Sequence, residues 1–229
     1  MENEFKNATR VLESPIARLE KKCLLWLAPR IPRSIHSDHL TTLAIVAMFL
    51  TGMSYWLART DRLGLLAAIF WLAVNWFGDS LDGTLARVRQ QQRPRYGFYI
   101  DHIVDTFGVV FLFGGLALSG YMSPYVALPL LVAYLALAIE VYLATYCLQT
   151  FRLTFFGFGP TELRILLSVG NIAAFVHPTT TLFGHTYLMF DVGGVIGAIG
   201  LTATLIYSTI VNTRTLAKAE PRPGWVGAQ

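Results

Sequence analysis

Six apolar stretches alternate with short polar breaks along the chain, near residues 38–58, 63–86, 98–119, 124–149, 162–183 and 189–213. A membrane crossing takes about 17–25 residues, so the pattern predicts six transmembrane helices. The second stretch reaches full length only if it runs past position 77 into a polar string, which places that string at the membrane boundary, close to water. Ahead of the spans, Val11, Leu12, Ile16, Leu19, Cys23 and Leu27 recur at roughly helical spacing with Arg18, Lys21 and Lys22 between them. This pattern predicts an interfacial amphipathic helix; a soluble amphipathic segment packed on a partner is the other reading. Pro29 and Pro32 open a turn that runs to Ser37, and Ser37 or Asp38 is placed to cap the first span. The fold class expected is therefore all-α integral membrane, with six transmembrane helices after an N-terminal interfacial helix. Residues 1–37 form the interfacial segment, 38–217 one membrane domain, and 218–229 a cytoplasmic tail.

The remaining breaks fit this layout. Ser119, Gly120 and Pro124 mark a short outer connection, while residues 151–160 form a second cytoplasmic loop in which Gly157, Gly159 and Pro160 stop the helix. Thr161 is placed to cap the fifth span, with Glu162 in its first turn favourable to the helix dipole. The residues from 221 onward read as disordered. No repeat at a fixed period is visible.

Composition agrees with the pattern: 54% of residues are hydrophobic, only 14% are charged, and mean hydropathy is +0.51. Cytoplasmic segments carry the excess of Lys and Arg. With both ends inside, every Lys and Arg except Arg59 and Arg62 falls on the cytoplasmic side. A net charge of +4 could suggest nucleic acid, but the basic residues are spread along one membrane face with no aromatic platform or groove motif. Anionic lipid headgroups explain them better. Cys23 and Cys147 are too few and too isolated for a metal cluster and are expected as free thiols. The polar first residues and the membrane-length first apolar run point to insertion by the first span rather than a cleavable signal.

Chemistry concentrates in one place. The chain reads Asp79-Ser-Leu-Asp82-Gly83-Thr-Leu-Ala86-Arg87, then nine residues, then Gly97-Phe-Tyr-Ile-Asp101-His-Ile-Val-Asp105. A carboxylate at a helix centre in a bilayer costs about 2.5–3.5 kcal/mol on insertion scales, and four that converge repel one another as well. Bound cations would offset both effects. The i, i+3 spacing puts Asp79 and Asp82 on one helix face, and i, i+4 does the same for Asp101 and Asp105 on the next. All-oxygen ligation of this kind suits Mg²⁺ or Mn²⁺ better than zinc. Gly83 sits where a side chain would block close approach of a ligand to the helix backbone, and Ala86 one turn on keeps the same face shallow.

This string resembles the signature of the CDP-alcohol phosphotransferase family, DxxDGxxAR followed by GxxxDxxxD, at every signature letter, with a linker of nine residues where the family's usual one is eight. The six-span layout with an interfacial helix is similar to that family too. The resemblance implies an enzyme that displaces CMP from a CDP-linked donor with an alcohol acceptor, using two divalent cations. It implies that Asp79, Asp82 and Asp101 are metal ligands, and that Asp105 both approaches the metal and takes the acceptor proton. It assigns Gly83, Ala86, Arg87 and Gly97 to the nucleotide. His102, directly after Asp101, resembles the aminoalcohol branch, where the donor is CDP-choline or CDP-ethanolamine, and would assist the base; a histidine hydrogen-bonded at the membrane interface is the plain alternative. The Gly159 to Glu162 loop is similar to that branch as well, so Glu162 faces the site or simply caps its helix.

Outside the motif, Glu140 is expected to hydrogen-bond another helix rather than an acceptor headgroup, and Asn75 and Asn171 to act as interhelical polar contacts. Gly193 and Gly197 form a GxxxG that fits packing within the bundle and homodimer formation equally. The leading functional expectation is a membrane phospholipid-synthesis enzyme with CDP-diacylglycerol as donor and a polar alcohol as acceptor. A CDP-aminoalcohol enzyme acting on a diacylglycerol-like lipid is the alternative. A cation-coupled transporter would spread its acidic residues through several spans, and a non-catalytic scaffold gives no reason for the motif.

Overall fold

The computed structural model describes residues 9–11, 16–152 and 159–221 and is mostly helical. A short helix α1 (Ala17–Leu27) is followed by α2 (Ser37–Ala58), α3 (Leu63–Val88), α4 (Pro94–Leu118), α5 (Pro124–Leu148), α6 (Pro160–Val176) and α7 (Met189–Ala219). Among the described residues, α2, α3, α4, α5 and α7 are the five helices long and apolar enough to cross a membrane. As the apolar pattern requires, α3 runs without a break through the polar string to Val88.

The stretch at 162–183 does not form one span. Its helix, α6, is 17 residues long and stops at Val176. His177 precedes Pro178, whose ring disfavours helical backbone in the residue before it. Beyond it, Thr179–Leu182 (β3) pairs antiparallel with His185–Leu188 (β4) around Phe183 and Gly184, both with positive φ. The three β-branched threonines of β3 suit an extended chain. A second short pairing joins Thr9–Val11 (β1) in parallel to Thr150–Arg152 (β2).

Neighbouring helices touch in a ring that runs from α3 to α2, α4, α5, α7 and α6 and back to α3. In lipid this packing cannot rely on water exclusion, and close backbone approach through small residues takes its place. A Cβ on Gly78 of α3 would lie 2.6 Å from the Leu40 carbonyl oxygen and 3.0 Å from the Ala44 nitrogen of α2. On the other side of α2, a Cβ on Gly115 of α4 would lie 2.6 Å from Gly52 Cα. Hence α2 is gripped between the two helices that carry the motif. Tyr55, Leu65, Leu72, Leu112, Leu116, Leu167 and Phe190 form the core between them. Large apolar side chains such as Phe49, Trp56, Leu128, Ile139 and Ile199 point outward, as lipid-facing positions do.

On α7, Gly197 packs against Leu130 of α5, whereas among the described residues nothing lies within 4 Å of the Cβ position of Gly193. Glu140 of α5 accepts hydrogen bonds from Ser208 at 2.9 Å and Asn212 at 2.6 Å on α7, which is the interhelical role expected of it. Asn171 donates to the Tyr55 hydroxyl at 2.9 Å, and Cys23 and Cys147 are free and exposed.

Three local expectations need correction. The cap of α2 is His36, whose backbone N–H donates to His39 Nδ1 at 3.0 Å. Ser37 is already helical, and Asp38 is drawn into an ion pair with Arg93. At α6, Pro160 fills the first helical position, Gly159 is the cap, and Glu162 accepts from the Gly159 N–H at 3.0 Å. Thr161 therefore lies inside the helix, and its hydroxyl is used elsewhere. Finally, Val11 belongs to β1 rather than to a helix. The face of α1 against the bundle carries Glu20 and Leu24 and is continued by Ala28 just past its end, with Leu24 and Ala28 buried beside Leu40, Leu81 and Leu85. Leu19 and Cys23 of the anticipated stripe face outward. Leu12, Gly157 and the tail beyond 221 lie outside the described residues.

Candidate functional site

The motif occupies the end of α3 and the beginning of α4. Because Gly78 lets α3 lie against α2, the polar side chains one turn to either side of it reach that helix. Asn75 Nδ2 donates to the Ala44 carbonyl at 3.0 Å, and the Thr41 hydroxyl donates to Asp82 Oδ2 at 2.6 Å. The Gly83 backbone N–H donates to the other oxygen of Asp82. Asp82 is thereby buried, at 7% exposure, with both oxygens oriented.

Asp79 turns the other way, toward α6. Arg164 donates through Nη2 to Asp79 Oδ2 at 2.6 Å and through Nε to Asn75 Oδ1 at 2.8 Å. Planar guanidinium geometry allows both bonds at once. Asp101 and Asp105 stand on the facing side of α4 and are exposed. Asp82 interacts electrostatically with Asp79 and Asp101, and Asp105 with Asp79, Asp82, Asp101 and Arg164. Asp79 and Asp82 are thus engaged by different neighbours, Arg164 of α6 and Thr41 of α2, while Asp101 and Asp105 of α4 lie within electrostatic range of them. Among the described residues no three acidic, His or Cys side chains yet converge tightly enough to cage a metal. Asp79 is held by Arg164 and Asp82 by Thr41. Donor chemistry still fits hard divalent cations, since all four motif groups are carboxylates and each adds to the repulsion a cation would relieve.

Gly83 lies beside Arg87, whose Nη1 would be 3.4 Å from a Cβ there, and Arg87 Nη2 donates to the Thr84 hydroxyl at 3.0 Å. Among the described residues, nothing lies within 4 Å of the Cβ position of Gly97. Ala86 is half-buried one turn beyond Asp82. His102 takes a packed position: its Nδ1–H donates to the Phe98 carbonyl at 2.6 Å, and its ring meets those of Phe98 and Tyr142 with centroids 4.1 and 4.5 Å away.

Beneath the carboxylates a cavity of about 60 Å³ enters the bundle, with Asn75, Asp105, Tyr134 and Arg164 as polar groups and Met48, Leu72 and Leu112 among its apolar walls. Arg164 and Thr41 are the site residues that sequence reasoning missed. Arg164 was counted with the cytoplasmic charges that set orientation. Its place four residues inside an apolar helix was the signal, because an ionisable group there marks a site by default.

A family model described as CDP-alcohol phosphatidyltransferase matches residues 35–206, from the cap of α2 to the middle of α7. No curated protein matches the chain.

Proposed function

The chain belongs to the CDP-alcohol phosphatidyltransferase family, and on that premise we propose that it transfers a substituted phosphate from CDP-diacylglycerol to a polar alcohol, releasing CMP. The observation that supports this reading is that the four motif carboxylates, at the adjoining ends of α3 and α4, lie within electrostatic range, Asp82 of Asp79 and Asp101, and Asp105 of all three others. The acceptor oxygen bonds to the phosphorus that carries the lipid, and the bond from that phosphorus to the oxygen bridging to CMP breaks. Asp105 takes the acceptor proton, and the two electrons of the broken bond leave with CMP. Gly83, Ala86 and Gly97 leave room for the nucleotide, and Arg87 donates charge-assisted hydrogen bonds to a phosphate. When bound, two divalent cations, Mg²⁺ or Mn²⁺, held by Asp79, Asp82, Asp101 and Asp105, supply the positive charge that neutralises the diphosphate in an in-line displacement.

The layout proposed is a six-crossing domain over residues 38–217 with α6 as the short fifth crossing and α1 on the membrane surface. One-sided placement of Lys and Arg supports an active site at the cytoplasmic face. The test is purified protein in vesicles, offered CDP-diacylglycerol or CDP-aminoalcohols with a panel of acceptors, reading CMP by chromatography and lipid products by thin-layer analysis. CMP release matched by a new phospholipid from CDP-diacylglycerol supports the proposal. Turnover only with CDP-choline or CDP-ethanolamine moves the assignment to the aminoalcohol reading that His102 suggests, and no CMP with any donor rejects both.

A further inference from the structure

One carboxylate oxygen on α1 ties α3, which carries Asp79 and Asp82, to α6, which carries Arg164. Glu20 Oε1 accepts hydrogen bonds from Trp76 Nε1 at 2.7 Å and Ser80 Oγ at 2.8 Å on α3, and from Thr161 Oγ1 at 2.9 Å on α6. Ser80 directly follows Asp79, Trp76 directly follows Asn75, and Thr161 lies one turn before Arg164. The two residues of α3 that Arg164 engages are thus each adjacent to a residue held by Glu20. Leu24, one turn further along α1, and Ala28, just past its end, continue the same face and are buried beside Leu81 and Leu85 of α3. Nothing in the motif explains why a charged group on α1 points inward.

We propose that Glu20 is a positioning residue: it clamps the start of α6 to α3 and so sets the register in which Arg164 meets Asp79 and Asn75. The inference rests on the proposed transfer reaction for its kinetic arm but not for its structural one. Without the clamp, α6 loses its polar tie to α3 at Thr161 while Arg164 must hold the junction alone. A glutamine keeps an acceptor oxygen in place, and an alanine does not.

The experiment compares Glu20→Ala, Glu20→Gln and Leu24→Ala in vesicles, by amide hydrogen exchange and by CMP release. Expected in Glu20→Ala are faster exchange at residues 162–167 and a kcat at least 10-fold lower with donor KM changed less than 3-fold, as follows when Asp79 and Arg164 lose register. Glu20→Gln should keep wild-type exchange and at least a third of kcat, and Leu24→Ala should lower melting temperature without that kcat loss. Unchanged exchange over 162–167 in Glu20→Ala overturns the clamp whatever the reaction proves to be. Normal kcat in Glu20→Ala, or a kcat loss in Leu24→Ala equal to that in Glu20→Ala, overturns the positioning role. Absence of CMP from the wild type bears on the proposed reaction alone and leaves the exchange result to decide the clamp.

Discussion

Arg164 Nη2 lies 2.6 Å from Asp79 Oδ2, joining the first carboxylate of the motif to a helix 85 residues further along the chain. Both side chains are largely removed from solvent, at 15% and 27% exposure. Through Nε the same guanidinium also holds Asn75, so a single residue of α6 fixes two positions on one face of α3.

Arg164→Lys keeps the charge but cannot make both bonds. Loss of one charge-assisted hydrogen bond is worth about 1.5–3 kcal/mol. Thermal unfolding in detergent should show destabilisation of that order, and CMP release should fall roughly 10-fold or more.

Asp105→Asn removes the proton acceptor and leaves the surface around Gly83 and Gly97 intact. A positioned base contributes about 10²–10⁴ in rate. Turnover is expected to drop by that factor while equilibrium binding of the CDP-alcohol stays within a few-fold; wild-type turnover in this variant would reject the assignment.

Gly78→Ala and Gly97→Ala separate packing from substrate contact. A methyl at 78 meets the α2 backbone at 2.6 Å, and such overpacking costs about 1–3 kcal/mol. Its melting temperature should fall. At 97 the methyl enters open space, so melting should be unchanged while KM for the donor rises.

Chelation tests the carboxylate cluster as a unit. EDTA should abolish CMP release, and added Mg²⁺ or Mn²⁺ should restore it. Full activity in chelator would remove the cations from the proposal.

Much of this was legible in the pattern of side chains. That α3 must continue through Asp79 and Asp82 followed from span length, whereas the i, i+3 spacing did not reveal that Asp79 is drawn to Arg164 of α6 and Asp82 to Thr41 of α2. That Glu140 hydrogen-bonds another helix followed from the cost of a lone carboxylate among apolar residues; that the partner is α7 did not. The hairpin after Val176 was hidden because Thr179 to Phe183 is uncharged and weakly apolar, which reads as a continuing span until Pro178 and the positive φ at Gly184 are given weight. Arg164 and Glu20 were hidden for a different reason. Each is a charged residue near a membrane boundary, where such residues ordinarily face water, and only tertiary placement shows them turned inward toward α3.

On the proposed layout, in which α6 is the fifth crossing, its brevity carries a consequence for the surrounding lipid. At 1.5 Å per residue its 17 residues reach about 26 Å, against about 30 Å for a typical hydrocarbon layer. Bilayer thinning is one way to accommodate such mismatch. Beside α6 the acyl region would be pinched and headgroups drawn inward, so that hydration extends nearer to Arg164 than a full-length neighbour would permit. A lipidic donor arriving on that flank would then have less hydrophobic depth to cross before its diphosphate reached the carboxylates.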